Sequence, residues 1–242
     1  MKILSVVGAR PQFIKAFAVS KELRKEHEEV LIHTGQHYDK ELSDVFFEKL
    51  NIPQPEYNLG VGSGSHGEQT AEMLIRLEEL IDNEQPDFVL LYGDTNSTLA
   101  GVIAGTKMDT KVAHVEAGLR SHNREMPEEV NRVLTDHGAD LLLAPSPTAV
   151  DQLSTEGRDE VTVETGDVMY DALLEVRDRV AEESAVLERY SLSEGEFILS
   201  TVHRAENTDS RDRLEAILEA LSDAPLPVIL PLHPRTESYL KE

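Results

Sequence analysis

Several short segments of this chain carry carboxylates where apolar runs end. Residues 112–115 (VAHV) lead straight into Glu116, residues 88–92 (FVLLY) lead into Gly93-Asp94, and Pro127 is followed by Glu128-Glu129. A carboxylate at the end of a buried strand is costly unless it is paired or used. Carboxylates gathered at one place raise one another's affinity for protons, which suits general acid–base work. Cations stand at the same punctuation: Arg10 and Lys15 after the first apolar run, and Arg120, His122 and Arg124 between Glu116 and Glu128. In Gly8-Ala9-Arg10-Pro11 the glycine permits a tight turn and the proline suits a first helical position. A helix N-terminus flanked by Arg10 and Lys15 would cradle a diphosphate. His203-Arg204 ends a later run, with Glu206 and Asn207 beside it in a polar cluster that packs nothing.

Each feature also has a plain reading. Asp94 or Thr95 could cap a helix, and Glu128-Glu129 could serve the macrodipole of a first helical turn. Glu116 could pair with Arg120, four residues on. The GARP turn could be no more than a turn with two solvated cations. His33 and His114 read as satisfied strand-end histidines. Gly62-Ser-Gly64-Ser-His-Gly67 matches a dinucleotide fingerprint, but the proline-rich IPQPEYNLGV before it has no strand pattern. That loop reads as the cap of the next helix, able to close over a ligand. These plain readings weaken jointly once Asp94, Glu116 and Glu128 share one crevice.

The elements that must position these groups are legible from the pattern. Short Val-, Ile- and Leu-rich runs lie at 3–7, 30–33, 88–92, 112–115, 141–144, 161–163, 197–202 and 228–232. They mostly do not alternate, as expected of parallel strands buried on both faces. Helical stripes lie between them, such as Ala71, Leu74, Leu77, Leu80 and Ile81 with Ser65 and Glu68 spaced as a capping box, and Leu214, Ile217, Leu218 and Leu221. Strand–helix alternation predicts an α/β doubly wound sheet. Ligands bind such sheets beyond the carboxyl ends of the strands. Those ends carry Arg10 and Lys15, Gly35-Gln36-His37, Asp94, Glu116, Gly166-Asp167, His203-Arg204 with Glu206, and His233-Pro234-Arg235. The pattern divides into an N-terminal domain at 1–169 and, from 170 to 242, a connecting helix with a partial second domain.

Composition excludes other classes. The chain has 46 acidic against 23 basic residues, a net charge of −23. A nucleic-acid partner needs a basic footprint, so none is expected. The acids are dispersed, as on the solvated, salt-adapted surface of a halophile. No run approaches the ~18 apolar residues of a membrane span. The N-terminus reads as a strand rather than a signal peptide, so a cytoplasmic protein without membrane attachment is expected. Zero cysteines exclude disulfides, thiolate metal sites and cysteine nucleophiles.

The segments GARPQFIKA, HTGQHYD, GDTNSTLAG, HVEAGLRS, MPEEVNRVLTDH, TGDVMYDAL and TVHRAEN resemble, in order, the non-hydrolysing UDP-N-acetylglucosamine 2-epimerase family. The resemblance implies two Rossmann-like domains of the glycosyltransferase-B type, with the active site between them and the second domain incomplete in a chain that ends at LHPRTESYLKE. It implies exchange of the 2-epimers of a UDP-sugar by anti-elimination of UDP, through a 2-acetamidoglucal, and re-addition. Asp94, Glu116 and Glu128 are then the carboxylates, and His203 is the catalytic group on the diphosphate side. Arg10, Lys15, His37, Arg120, Arg204 and Glu206 become substrate-binding residues. Neither a metal nor NAD is implied, and a homodimer is expected. GARPQFIK and GSGSHGEQT look like the branch acting on UDP-2,3-diacetamido-2,3-dideoxyglucuronate. The segment QHYDKEL departs from the QHREML-like segment of members with an allosteric UDP-sugar site. A glycosyltransferase on the same fold and an inactive sugar-nucleotide binder are the competing readings.

Overall fold

The computed structural model describes residues 1–35, 53–183, 185–202, 204–232 and 236–237. The chain divides into two compact units, Met1–Arg177 and Asp178–Glu242. The expected boundary at 169/170 and this division both fall on one helix, Val168–Glu183.

The first unit is built on a parallel sheet of β1 (Lys2–Val7), β2 (Glu28–His33), β3 (Tyr57–Asn58), β4 (Phe88–Tyr92), β5 (Lys111–Val115), β6 (Leu141–Ala144) and β7 (Thr162–Glu164). The 7-stranded order is β3-β2-β1-β4-β5-β6-β7. Chain direction therefore reverses its march between β1 and β4, the switch point where such sheets open a crevice. β3, at the edge, lies in the stretch that reads as patternless. Its two residues pair with Ile32 and His33, too short a ladder to leave a period in the sequence.

The strands read as continuous apolar runs because successive residues serve different layers. Leu4, Val6, Val89, Leu91 and Val112 pack on one face with Met73, Leu77 and Ile81. Ile3, Val7, Leu90, Tyr92, Ala113 and Val115 pack on the other with Phe13 and Phe17. The first face is covered by α2 (His66–Glu84), α3 (Asn96–Lys107), α4 (Pro127–Gly138) and α5 (Pro147–Thr155), and the second by α1 (Arg10–Leu23) and α6 (Val168–Glu183). Ser65 caps α2 and forms the expected capping box with Glu68. The buried stripe of α2 is Met73, Leu77 and Ile81, whereas Ala71 faces solvent.

The second unit contains α7 (Val186–Arg189), β8 (Ile198–Leu199), α8 (Ala205–Thr208), α9 (Arg211–Ser222) and β9 (Val228–Ile229). β8 and β9 pair in parallel. Both are shorter than the runs 197–202 and 228–232. Leu214 is the buried anchor of α9.

Candidate active site

Consecutive strand ends bring the predicted groups of the first unit to one edge. β1 is followed by Gly8-Ala9 and then Arg10, the first residue of α1. β4 is followed by Gly93-Asp94, and β5 by Glu116. Tyr92 and Val115 are partners in the ladder, so Gly93 and Glu116 emerge side by side.

Glu116 has a left-handed backbone, φ +72°. A non-glycine residue held there costs about 1–3 kcal/mol and persists only where the surroundings over-determine it. The backbone N–H groups of Glu116 and Ala117 both donate to Leu143 O, at 3.1 and 3.2 Å. The carboxylate receives the Lys15 ammonium in an ion pair. Lys15 lies on the buried side of α1, with a side chain 7% exposed against 24% for Glu116. Arg120 is not the partner of Glu116. The intervening Gly118 takes φ +84°, which turns the chain away from the helical path that a four-residue spacing assumes.

Gly93 makes room for this pair. A Cβ there would lie 3.1 Å from Lys15 Nζ and 3.2 Å from Glu116 Oε2. Thr95, not Asp94, caps α3 by accepting Thr98 N–H. The Asp94 carboxylate is left to pair with Arg132 of α4, while Asn131 Nδ2 donates to Asp94 O at 2.9 Å.

Behind the edge, the side chain of Gln12 joins the two turns at the switch point. Its Oε1 accepts Gly8 N–H and Ala9 N–H at 2.8 and 3.0 Å. The two hydrogens on its Nε2 are shared among Tyr92 O at 2.7 Å and Thr95 Oγ1 and Thr98 Oγ1 at 3.0 Å. A fully buried amide with this many partners fixes the Gly8-Ala9 turn against the Asp94 turn.

The helix α4 presents a polar buried face of Glu129, Asn131, Thr135 and Asp136. Glu128 and Glu129 both stand in its first turn, as the macrodipole favours, but they differ. Glu128 is exposed, whereas Glu129 is buried. Burial pushes the Glu129 carboxyl up, but the Ser121 N–H and hydroxyl, the His122 N–H and the Arg132 charge outweigh it and hold it below the ordinary value. Glu129 thereby fixes the loop after Glu116, accepting Ser121 N–H at 2.9 Å and His122 N–H at 3.0 Å. Arg132 Nε lies 3.7 Å from Glu129 Oε2, so one guanidinium spans Asp94 and Glu129.

Arg120 stands apart from the substrate-binding role expected of it. Its side chain is 3% exposed, pairing with Asp136 at 2.7 Å and, in a bidentate fork, with Glu156 at 2.9 and 2.7 Å. Those donors are consumed inside the protein. His114, as expected, is a satisfied strand histidine. Its ring contacts Asp136 Oδ1 at 2.6 Å and Gly93 O at 2.7 Å.

His37 and His203 lie outside the described residues, as does the side chain of Glu206. Arg204 is exposed, and its carbonyl accepts Asn207 N–H and Thr208 N–H at the start of α8. Arg132, Asp136 and Gln12 are the residues that motif reading passes over. A signal for two of them exists: Glu128, Arg132 and Asp136 recur every four residues along one helix.

A parallel sheet of this order, with acids and cations beyond the carboxyl ends of its strands, defines a Rossmann-like α/β protein, and its fold class is that of the glycosyltransferase-B-like nucleotide-sugar enzymes. The profile of the UDP-N-acetylglucosamine 2-epimerase family matches residues 21–242, and the chain belongs to that family. It is 53% identical over its whole length to a UDP-N-acetylglucosamine 2-epimerase homolog of Methanococcus maripaludis, spanning 68% of that relative. It is 47% identical to the UDP-2,3-diacetamido-2,3-dideoxy-D-glucuronate 2-epimerase of Pseudomonas aeruginosa, again over its whole length and 69% of the relative. The crystal structure of Methanocaldococcus jannaschii UDP-GlcNAc 2-epimerase in complex with UDP-GlcNAc and UDP superposes with a TM-score of 0.87 at 42% identity, covering all of this chain and 68% of that one. Among the described residues no helix is long and apolar enough to cross a membrane.

Proposed function

We propose that this chain carries the site for non-hydrolysing 2-epimerisation of a UDP-N-acetylhexosamine. The observation that carries the reading is the placement of Asp94 and Glu116 on adjacent strand ends at the switch point, with Lys15 against Glu116. The C2 proton of such a sugar is weakly acidic, with no carbonyl on that carbon. Its removal has to be coupled to loss of a stabilised leaving group. A carboxylate among Asp94, Glu116 and Glu128 takes the proton from C2. The C1–O bond to UDP breaks, its electron pair leaves with the diphosphate, and a C1=C2 double bond forms. Return of a proton to the opposite face of C2 and re-addition of UDP at C1 give the 2-epimer.

Arg10 at the N-terminus of α1 and Lys15 one turn on serve the diphosphate in this scheme. His203, Arg204, Glu206 and His37 are assigned to the same substrate by family resemblance. The leaving group carries the reaction, so the scheme draws on no metal and no NAD. The reading extends by resemblance to a homodimer in the cytoplasm, and the excess of acidic residues speaks against a nucleic-acid partner.

The sugar is the open half of this proposal. The 47% identity to the diacetamido-glucuronate epimerase favours a second reading, in which C3 carries an acetamido group and C6 a carboxylate. Offering the protein UDP-GlcNAc and UDP-2,3-diacetamido-glucuronate separately, and following C2 stereochemistry by NMR, distinguishes them. Formation of the manno epimer from one supports the corresponding reading. Recovery of both unchanged counts against the function.

A further inference from the structure

We infer that His114 and Asp136 form a buried brace that sets the spacing of the Asp94 and Glu116 turns, and are positioning residues for the reaction. The inference rests on the proposed function for its catalytic consequence, and on geometry for the brace itself. Both side chains are fully buried. One oxygen of Asp136 accepts the His114 Nδ1–H at 2.6 Å. The other accepts Gly118 N–H at 3.0 Å and the Arg120 guanidinium at 2.7 Å. On the far side of the His114 ring, Nε2 lies 2.7 Å from Gly93 O.

One carboxylate on α4 thus holds the residue just before Asp94 and the turn just after Glu116. The ring faces an oxygen at each nitrogen, and neither a carbonyl nor an ionised carboxylate can donate. Both contacts are hydrogen bonds when each nitrogen carries a hydrogen. The Arg120 guanidinium ties the Gly118-bound oxygen of Asp136 to a second carboxylate, Glu156, at 2.7 Å.

Hydrophobic packing does not require so much buried polarity, and buried ion pairs are often replaceable by apolar groups of similar volume without loss of stability. Its geometric effect is specific. Gly118 is pinned on its other side as well, because a Cβ there would meet Ala149 O at 2.5 Å and Leu153 Cδ1 at 2.9 Å. Slack in the brace would be taken up by the Gly93-Asp94 and Glu116-Ala117 backbones, which carry the carboxylates.

Two variants test this. Asp136→Asn keeps the shape and removes one acceptor. His114→Asn keeps an N–H where Nδ1 stands and removes the bond to Gly93 O. Hydrogen exchange in the intact chain is expected to quicken at 93–95 and 116–118 in Asp136→Asn, and at 93–95 alone in His114→Asn, with the amides of β1 and β4 unchanged. C2 turnover by each is expected to fall on the order of 100-fold in kcat, with KM little changed, as for a small misplacement of reacting groups. Uniformly faster exchange along β5 with wild-type kcat would show a purely structural role and overturn the inference. Absence of C2 turnover in the wild-type protein would refute the proposed function, and wild-type exchange rates in the two turns of the variants would then still overturn the brace.

Discussion

The Lys15 ammonium and the Glu116 carboxylate meet in the space that a side chain on residue 93 would occupy. Three elements, α1, β4 and β5, converge on that point, and each contributes what the others exclude. α1 sends in a cation, the end of β5 sends in an acid on a left-handed backbone, and the end of β4 supplies a glycine. The pair is largely shielded from solvent, so it tolerates little rearrangement.

Gly93→Ala should therefore damage the site before the fold. The new methyl meets the pair at 3.1 and 3.2 Å, and φ +62° disfavours any Cβ. A loss of roughly 1–2 kcal/mol in urea unfolding is expected from the backbone alone. Turnover should fall far more than this stability loss explains. Wild-type turnover in Gly93→Ala would show that the crowding is unimportant.

Glu116→Gln keeps size and removes charge. C2 proton exchange should drop by about 10²–10⁴-fold, the range of a lost general acid or base. Binding of UDP, followed by calorimetry, should persist because Arg10 and Lys15, the cations assigned to the diphosphate, both keep their charge. Retained exchange would take Glu116 out of the chemistry.

Much of this architecture is legible before any coordinates. The strand runs fall where β1, β2, β4, β5 and β6 fall, since burial on both faces leaves a dense apolar signal. β3 leaves none, because its register is imposed by β2. Partners fare worse than elements. Glu116 reads as the partner of Arg120 when only chain spacing is considered, and the structure gives it Lys15, 101 positions away. Topology decides such pairs. The polar buried face of α4 is likewise invisible to a search for apolar stripes, since Glu129 and Asp136 are buried by hydrogen bonds rather than by hydrophobicity.

Those two residues should contribute to acid destabilisation of the protein. Burial pushes both carboxyls up, but hydrogen bonds and cations outweigh it, and both lie below their ordinary values of 4.5 for Glu129 and 3.8 for Asp136. A depressed carboxyl contributes stability that is full above its unfolded value and is lost as pH falls through the folded one. Urea midpoints should hold near neutrality and decline below about pH 5. Glu129→Gln should be less stable than wild type at neutral pH, with a shallower acid limb. An unchanged acid limb would rule Glu129 out as a source.

Salt should act in the opposite sense to its usual effect on surface ion pairs. With 46 acidic and 23 basic residues, repulsion among dispersed acids is the larger surface term. Screening shortens its range to about 3 Å at 1 M salt. Thermal midpoints are expected to rise with potassium chloride. A steady fall would mean that attractive pairs dominate.

Turnover in deuterated water reads the chemistry at the reacting carbon itself. The protein is incubated with UDP-GlcNAc in deuterium oxide, and C2 is followed by NMR. Epimerisation by elimination and re-addition predicts deuterium at C2 in a manno product, together with deuterium washed into recovered substrate. A manno product that retains hydrogen at C2, or release of UDP with C2 still protonated, would contradict it.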